Sequence, residues 1–249
     1  MRCIKLTLAY DGTAYSGWQV QPGMTTVQGT LQTAIEKITG KAGPVLASGR
    51  TDAGVHALGQ VASFHTESTL SIEVLHRAIN AELPHDVAVL KVEEAPGDFH
   101  PIRDAIRKRY RYVIHDGPVR DVFRRRYCWQ YIYGRLDAEA MHRAAAALRG
   151  THDFSSFETS GAPRQDSIRT VLNLGVERGR GEQHDLLTLE IEADGFLYNM
   201  VRTIVGTLVE VGRGAESEDW PGRVLSAADR RKAGPTAPPQ GLCLVDVTY

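Results

Sequence analysis

Between two apolar runs the chain reads ASGRTDAGVHALGQ, residues 47–60. Arg50 and Asp52 stand two residues apart, with Gly49 and Gly54 outside them. Glycines so placed permit a sharp loop and let another backbone come close. An aspartate displayed there beside an arginine stays ionised, because the opposite charge favours the carboxylate. Such a carboxylate can serve as a nucleophile or as a base. The same residues also suit a plain turn in which Asp52 caps nearby amides. His56, four residues after Asp52, tempts toward a dyad, but no GxSxG-type nucleophile accompanies it, and a loop hydrogen bond serves it equally well. HExxH, phosphate-loop and GxGxxG patterns are missing, so the sequence implies no metal and no nucleotide cofactor.

Two further clusters carry chemistry. In ADGFLYNMVRTIVG, Arg202 opens a strongly apolar helix, at the end where the helix dipole favours anions. A carboxylate partner or an RNA phosphate would account for it, while Tyr198 and Asn199 read as core and cap residues. In KRYRY, strand alternation puts Tyr110 and Tyr112 on one face with Lys108, and Arg109 and Arg111 on the other. Two such tyrosines make either sheet core or a platform for stacked bases. IRKRYRY and VRDVFRRRY together hold eight Arg and Lys, among them Arg124, Arg125 and Arg126. Arginine interleaved with aromatics is suited to RNA contact, and a solvated face is the alternative. The net charge of −1 argues against coating nucleic acid through bulk charge but leaves room for a local basic surface.

These residues need elements to hold them. RCIKLTLAYDG alternates like a half-buried strand and stops at Asp11-Gly12. TTVQGTLQTAIEKITG places Val27, Leu31, Ala34, Ile35 and Ile38 on one helical face, with a capping box at Thr25 and Gln28 and a stop at Gly40. A strand at PVLAS enters the Asp52 stretch and another, QVASFHT, leaves it. A helix from Ser71 to before Pro84 and the strand DVAVLKVEEA complete the first half. The second half repeats this grammar: strands RYRYVIHD and RYCWQYIYG, helix DAEAMHRAAAALRG, strands IRTVLNLGVERG and DLLTLEIEADG, helix MVRTIVGTLVEVG. A short helix near PGRVLSAADR and the strand LCLVDVTY close it. Back-to-back strands between helices predict an α+β fold, antiparallel sheets covered by helices. A soft division near residue 105 separates halves 1–105 and 106–249.

At 249 residues, 42% apolar and 24% charged, the chain has ample core for one large or two small domains. No apolar run approaches the roughly 20 residues of a membrane span, and the N-terminus lacks a secretory pattern. Cys3, Cys128 and Cys243 are scattered, without a CxxC pair, which predicts reduced thiols and a cytoplasmic protein.

YDGTAYSGWQVQP, TVQGTLQTAI, SGRTDAGVHALGQVASF, FHPIRDAIRKRYRYVI, HDFSSF, GFLYNMVRTIVGTLVEVGRG and AGPTAPPQGLCLVDVTY resemble, in order and over nearly the full length, the signature segments of the TruA family of tRNA pseudouridine synthases. The resemblance implies an isomerase that converts uridine to pseudouridine in the anticodon stem-loop of tRNA, at positions 38–40. It implies two related RRM-like or ferredoxin-like halves around a central cleft, a homodimer gripping tRNA, and no metal or organic cofactor. The family's catalytic aspartate falls on Asp52, its ring-stacking tyrosine on Tyr110, its basic partner on Arg202, and its RNA-engaging loop arginine on Arg50. A pocket-lining leucine falls on Leu242, in a segment that reads GLCL where the family has GLYL. Arg124, Arg125 and Arg126 are the expected phosphate contacts.

Two rivals belong to other classes. A non-catalytic RNA-binding protein with two RRM-like sheets would carry the RNP1 pattern. KRYRYVIH has arginines where that pattern wants small residues, and Asp52 would have no purpose there. A glycoside hydrolase would need a second positioned carboxylate, and Asp11, Glu94 and Asp194 offer no evident match.

Overall fold

A computed structural model describes residues 1–41, 43–159 and 166–249. In chain order the strands and helices are β1 (Arg2–Tyr10), α1 (Val27–Thr39), β2 (Leu46–Ala47), β3 (His56–Thr66), α2 (Ile72–Glu82), β4 (Val87–Ala95), β5 (Arg107–His115) and β6 (Trp129–Gln130). There follow α3 (Ala138–Ala145), β7 (Gly150–Asp153), β8 (Ile168–Arg178), β9 (Leu186–Ala193), α4 (Met200–Gly212), α5 (Trp220–Ala227) and β10 (Leu242–Thr248). The class is mixed α+β, as expected. Two compact units divide the chain: Met1–Ile106 with Cys243–Tyr249, and Arg107–Leu242.

In the first unit β1 lies antiparallel between β3 and β4, β2 adds to β3, and β10 runs parallel to the start of β3. With α1 and α2 this is a βαββαβ order, that of a ferredoxin-like unit. Ile4, Leu6, Leu8 and Tyr10 of β1 are buried, as their spacing of two demands. Val27, Leu31, Ala34 and Ile35 form the buried stripe of α1. The helix starts one residue later than the sequence suggests: Thr26, not Thr25, is the cap, accepting from the Gly29 amide at 3.3 Å. Gln28 is drawn elsewhere, accepting from the Val20 amide and donating to the Val45 carbonyl, both at 2.9 Å.

In the second unit the strand order is β6-β5-β9-β8-β7, antiparallel except for the β5–β6 pair. Helix α4 is buried on nearly every side, as its unbroken apolar sequence requires. The segment RYCWQYIYG forms no full strand: only Trp129 and Gln130 pair, with Ile114 and His115. Upstream of them the chain coils, because the Asp121 carboxylate accepts the Phe123 and Arg124 amides, each at 2.9 Å. Strand β7 is too short and polar to show in the sequence pattern.

The ends of β5 and β8 are tied by an ion pair between buried Asp116 and half-buried Arg178. Asp116 accepts from both Arg178 terminal nitrogens, at 2.9 and 2.7 Å, and from the Leu136 amide at 2.9 Å. Burial works to raise this carboxyl, yet Arg178, the Leu136 amide and Arg135 together hold it below the ordinary carboxylate range. A depressed pKa contributes stability that is present above the unfolded value and is lost as pH falls through the folded one. Asp116→Ala is therefore expected to destabilise the protein by about 3 kcal/mol at neutral pH, because Arg178 loses its partner. Urea unfolding at several pH values checks this, and the variant should depend less on pH than the parent below about pH 4.

Candidate active site

Asp52 sits half-buried on the loop between β2 and β3, and Arg50 is exposed beside it. The loop folds back on itself at Gly54, whose φ of 78° belongs to the left-handed region that glycine enters freely. The Val55 amide donates to the Asp52 carbonyl at 3.1 Å, closing that turn. Residues 12–18 hold the loop from one side: the Trp18 amide donates to the Thr51 carbonyl at 3.0 Å and the Gly54 amide to the Tyr15 carbonyl at 3.4 Å. So close an approach is open only to glycine. A Cβ on Gly12 would stand 2.0 Å from the Val55 carbonyl oxygen, and one on Gly17 2.7 Å from that of Thr51. The glycines of YDGTAYSGW thus serve the Asp52 loop, a link between segments that sequence spacing does not display. His56 is a local hydrogen bonder: its Nδ1 accepts from the Gly12 amide at 3.1 Å, and Asp11 Oδ1 lies 3.2 Å away.

The second unit carries Tyr110, Arg202 and Leu242. Tyr110 and Tyr112 share the buried face of β5, and the Tyr110 ring meets Phe196 edge-on at 5.0 Å. Arg202 lies in the first turn of α4, where Asn199, at φ 61°, turns the chain into the helix. Its Nη1 donates to Asn199 Oδ1 at 2.8 Å and its Nε to the Ala237 carbonyl at 2.7 Å. The neighbouring Pro238 carbonyl accepts from the Tyr112 hydroxyl at 2.7 Å. One proline-rich run, APPQGL, therefore anchors the Arg202 guanidinium and the tyrosine strand, and it ends on buried Leu242. It lies close along α4 and β5 because of two glycines. A Cβ on Gly206 would stand 1.7 Å from the Pro235 carbonyl oxygen, and one on Gly241 2.6 Å from the Tyr112 ring. Sequence reading missed Ala237 and Pro238, which act through backbone carbonyls and so leave no side-chain signature.

The basic segments divide in two. On β5, Arg111 pairs with Glu190 at 2.7 Å and Arg107 with Glu192 at 3.0 Å, so β9 neutralises much of that strand's charge. Arg124, Arg125 and Arg126 are exposed on the turn before β6, with Arg124 paired to Asp121 at 2.9 Å. Phe123 on the same turn is 89% exposed. Among the described residues no group of three or more His, Cys, Asp or Glu could hold a metal ion. No helix among them is long and apolar enough to cross a membrane.

A family model described as tRNA pseudouridine synthase matches residues 7–102 and 144–249. The chain belongs to the tRNA pseudouridine synthase family. Proteins named tRNA pseudouridine synthase A are similar to it over most or all of their length. That of Thermoanaerobacter sp. (strain X514) is 46% identical over 249 residues, covering 100% of both chains. That of Moorella thermoacetica is 47% identical over 251 residues, again covering 100% of both. That of Geobacillus sp. (strain WCH70) is 48% identical over 247 residues, covering 99% of this chain and 98% of its own. Asp52, Arg202 and Leu242 fall inside the segments matched by the family model, whereas Tyr110 and Arg124–Arg126 fall between them.

Proposed function

We propose that this protein isomerises uridine to pseudouridine in the anticodon stem-loop of tRNA, at positions 38–40, with Asp52 as the catalytic carboxylate. What carries the reading is a carboxylate on a loop locked by buried contacts, in a chain similar throughout to proteins named tRNA pseudouridine synthase A. The reaction breaks a C–N glycosidic bond, turns the uracil, and joins a ring carbon to the same sugar carbon. A carboxylate serves as nucleophile or base in it, and Arg202 is the basic residue proposed to assist it. The target base leaves its stack at a cost of a few kcal/mol. Tyr110 stacks on the uracil, recovering about 1–3 kcal/mol. Arg50 engages the RNA and Leu242 lines the base pocket. The enzyme acts in the cytoplasm as a homodimer, without metal or organic cofactor.

Incubation with unmodified tRNA transcript is expected to yield pseudouridine at one or more of positions 38–40, measured by nuclease digestion and mass spectrometry. Tight binding without product would instead support a non-catalytic RNA-binding protein.

The exposed arginine turn faces phosphates in this reading. Replacing Arg124, Arg125 and Arg126 together with alanine should weaken tRNA binding and flatten the plot of log affinity against log salt, by about 1 for each phosphate no longer neutralised. Because Asp121 already neutralises Arg124 in part, the change should fall short of the full effect of three arginines. A salt slope equal to the parent's would make these arginines a solvated face only.

A further inference from the structure

Beneath the Asp52 loop lies a buried polar cluster to which the reaction itself assigns no role. Gln60, on β3, is fully buried. Its amide nitrogen donates to the Gly49 carbonyl at 2.9 Å and to the Tyr10 hydroxyl at 3.4 Å. Its oxygen accepts from the Ser48 hydroxyl at 2.7 Å and from the Val61 amide at 3.2 Å. The Tyr10 hydroxyl lies 2.8 Å from the Thr51 hydroxyl, so the cluster reaches the residue before Asp52. Burial pushes the Tyr10 phenol up to about 12, and it remains a neutral donor and acceptor.

We propose that Gln60 is a positioning residue for catalysis, fixing the backbone of residues 48–51 so that Asp52 is presented in one register. The proposal rests on Asp52 being the catalytic carboxylate. A glutamine inside a strand core gains nothing by packing that an apolar residue would not, and its polar atoms cost free energy unless each is bonded. Here both ends are used, and all but the Val61 amide serve the approach to the loop. The loop is thus held twice. Backbone bonds from residues 15–18 hold Thr51 and Gly54, and Gln60 holds Ser48 and Gly49 directly and Thr51 through Tyr10. Arg50 and Asp52 flank the doubly held Thr51. The two grips fix the loop before any RNA arrives, so the orientation of the carboxylate is set by the fold.

Gln60→Met keeps the length of the side chain and removes every hydrogen bond, and Tyr10→Phe removes one hydroxyl and keeps the ring. Gln60→Met should lower kcat for pseudouridine formation about 100-fold, the scale set by misplacing a reacting group by roughly 1 Å, while KM and tRNA affinity stay within about twofold. Tyr10→Phe should lose about tenfold in kcat by the same route. Amide hydrogen exchange at Gly54 and Val55 should quicken in both variants, with β1 and β4 unchanged. A loss confined to KM, an unchanged kcat despite faster loop exchange, or unchanged loop exchange would each overturn the proposal. Should Gln60→Met fail to fold, Tyr10→Phe decides alone, and full kcat with normal loop exchange overturns it. A parent protein that makes no pseudouridine defeats the reading of Asp52, whereas loop exchange still tests the grip of Gln60 independently of the reaction.

Discussion

Asp52→Asn is expected to abolish pseudouridine formation while leaving tRNA affinity intact. The two side chains are nearly isosteric. The loop is held by backbone bonds at Thr51, Gly54 and Val55 and by Gln60 at Gly49, none of which uses the Asp52 carboxylate. Fold and RNA surface should therefore survive the change. The amide is a far poorer nucleophile and base than the carboxylate. Turnover should drop by about four orders of magnitude or more, the scale lost when an essential catalytic group is removed. Binding should be equal or slightly tighter, since one negative charge near the phosphates is gone. Product formation and tRNA affinity measured on one preparation, with circular dichroism as the fold check, decide the matter. A variant that forms pseudouridine at the parent's rate removes Asp52 from the chemistry. Arg202→Ala should also lose activity, because it removes the basic residue proposed to assist that carboxylate.

Much of what positions these residues is visible in the sequence, and the reasons differ by residue. The alternation of Ile4, Leu6 and Leu8 and the stripe of Val27, Leu31 and Ile35 reflect burial of one face, which periodicity reports directly. The sharp turn at Asp52 is announced by Gly54, because the backbone there suits glycine above other residues. Long-range backbone contacts leave no such mark. Gly12 and Gly17 look like ordinary turn residues, yet their missing side chains admit the Asp52 loop from about forty positions away. Ala237 and Pro238 hold Arg202 and Tyr112 through carbonyls that every residue type possesses. RYCWQYIYG misleads because its aromatics mimic strand composition, while Asp121 draws the chain into turns by bonding two amides. Gln60 stands in plain sight at the end of the Asp52 stretch. Only the burial of its amide reveals its use.

Tyr110→Phe should separate the ring of that residue from its hydroxyl. Tyr110 is 7% exposed, its ring meets Phe196 edge-on at 84°, and the residue stands opposite Ile191 of β9 in the sheet register. Packing therefore fixes the ring, and a swap that conserves volume costs less than about 1.5 kcal/mol. Stability, tRNA affinity and the proposed stack on the extruded uracil should all persist. The chemistry should not. Once the sugar carbon has bonded to the uracil ring carbon, that carbon still carries its hydrogen, and a base must remove it before pseudouridine is complete. If the phenol oxygen, its own proton first passed to solvent, accepts this proton, loss of that oxygen should slow product formation about 10²- to 10⁴-fold, the range of general base catalysis. Breakage of the original C–N bond in a single turnover should stay near the parent's rate. Deuterium at the ring carbon should then slow the variant more than the parent, because proton removal has become the slow step. Tyr110→Ala is the control. It removes the ring as well, costs about 3–5 kcal/mol through the cavity it leaves, and should weaken base stacking too. A Tyr110→Phe enzyme with the parent's rate and isotope sensitivity would restrict Tyr110 to stacking, and full activity in both variants would remove it from the site.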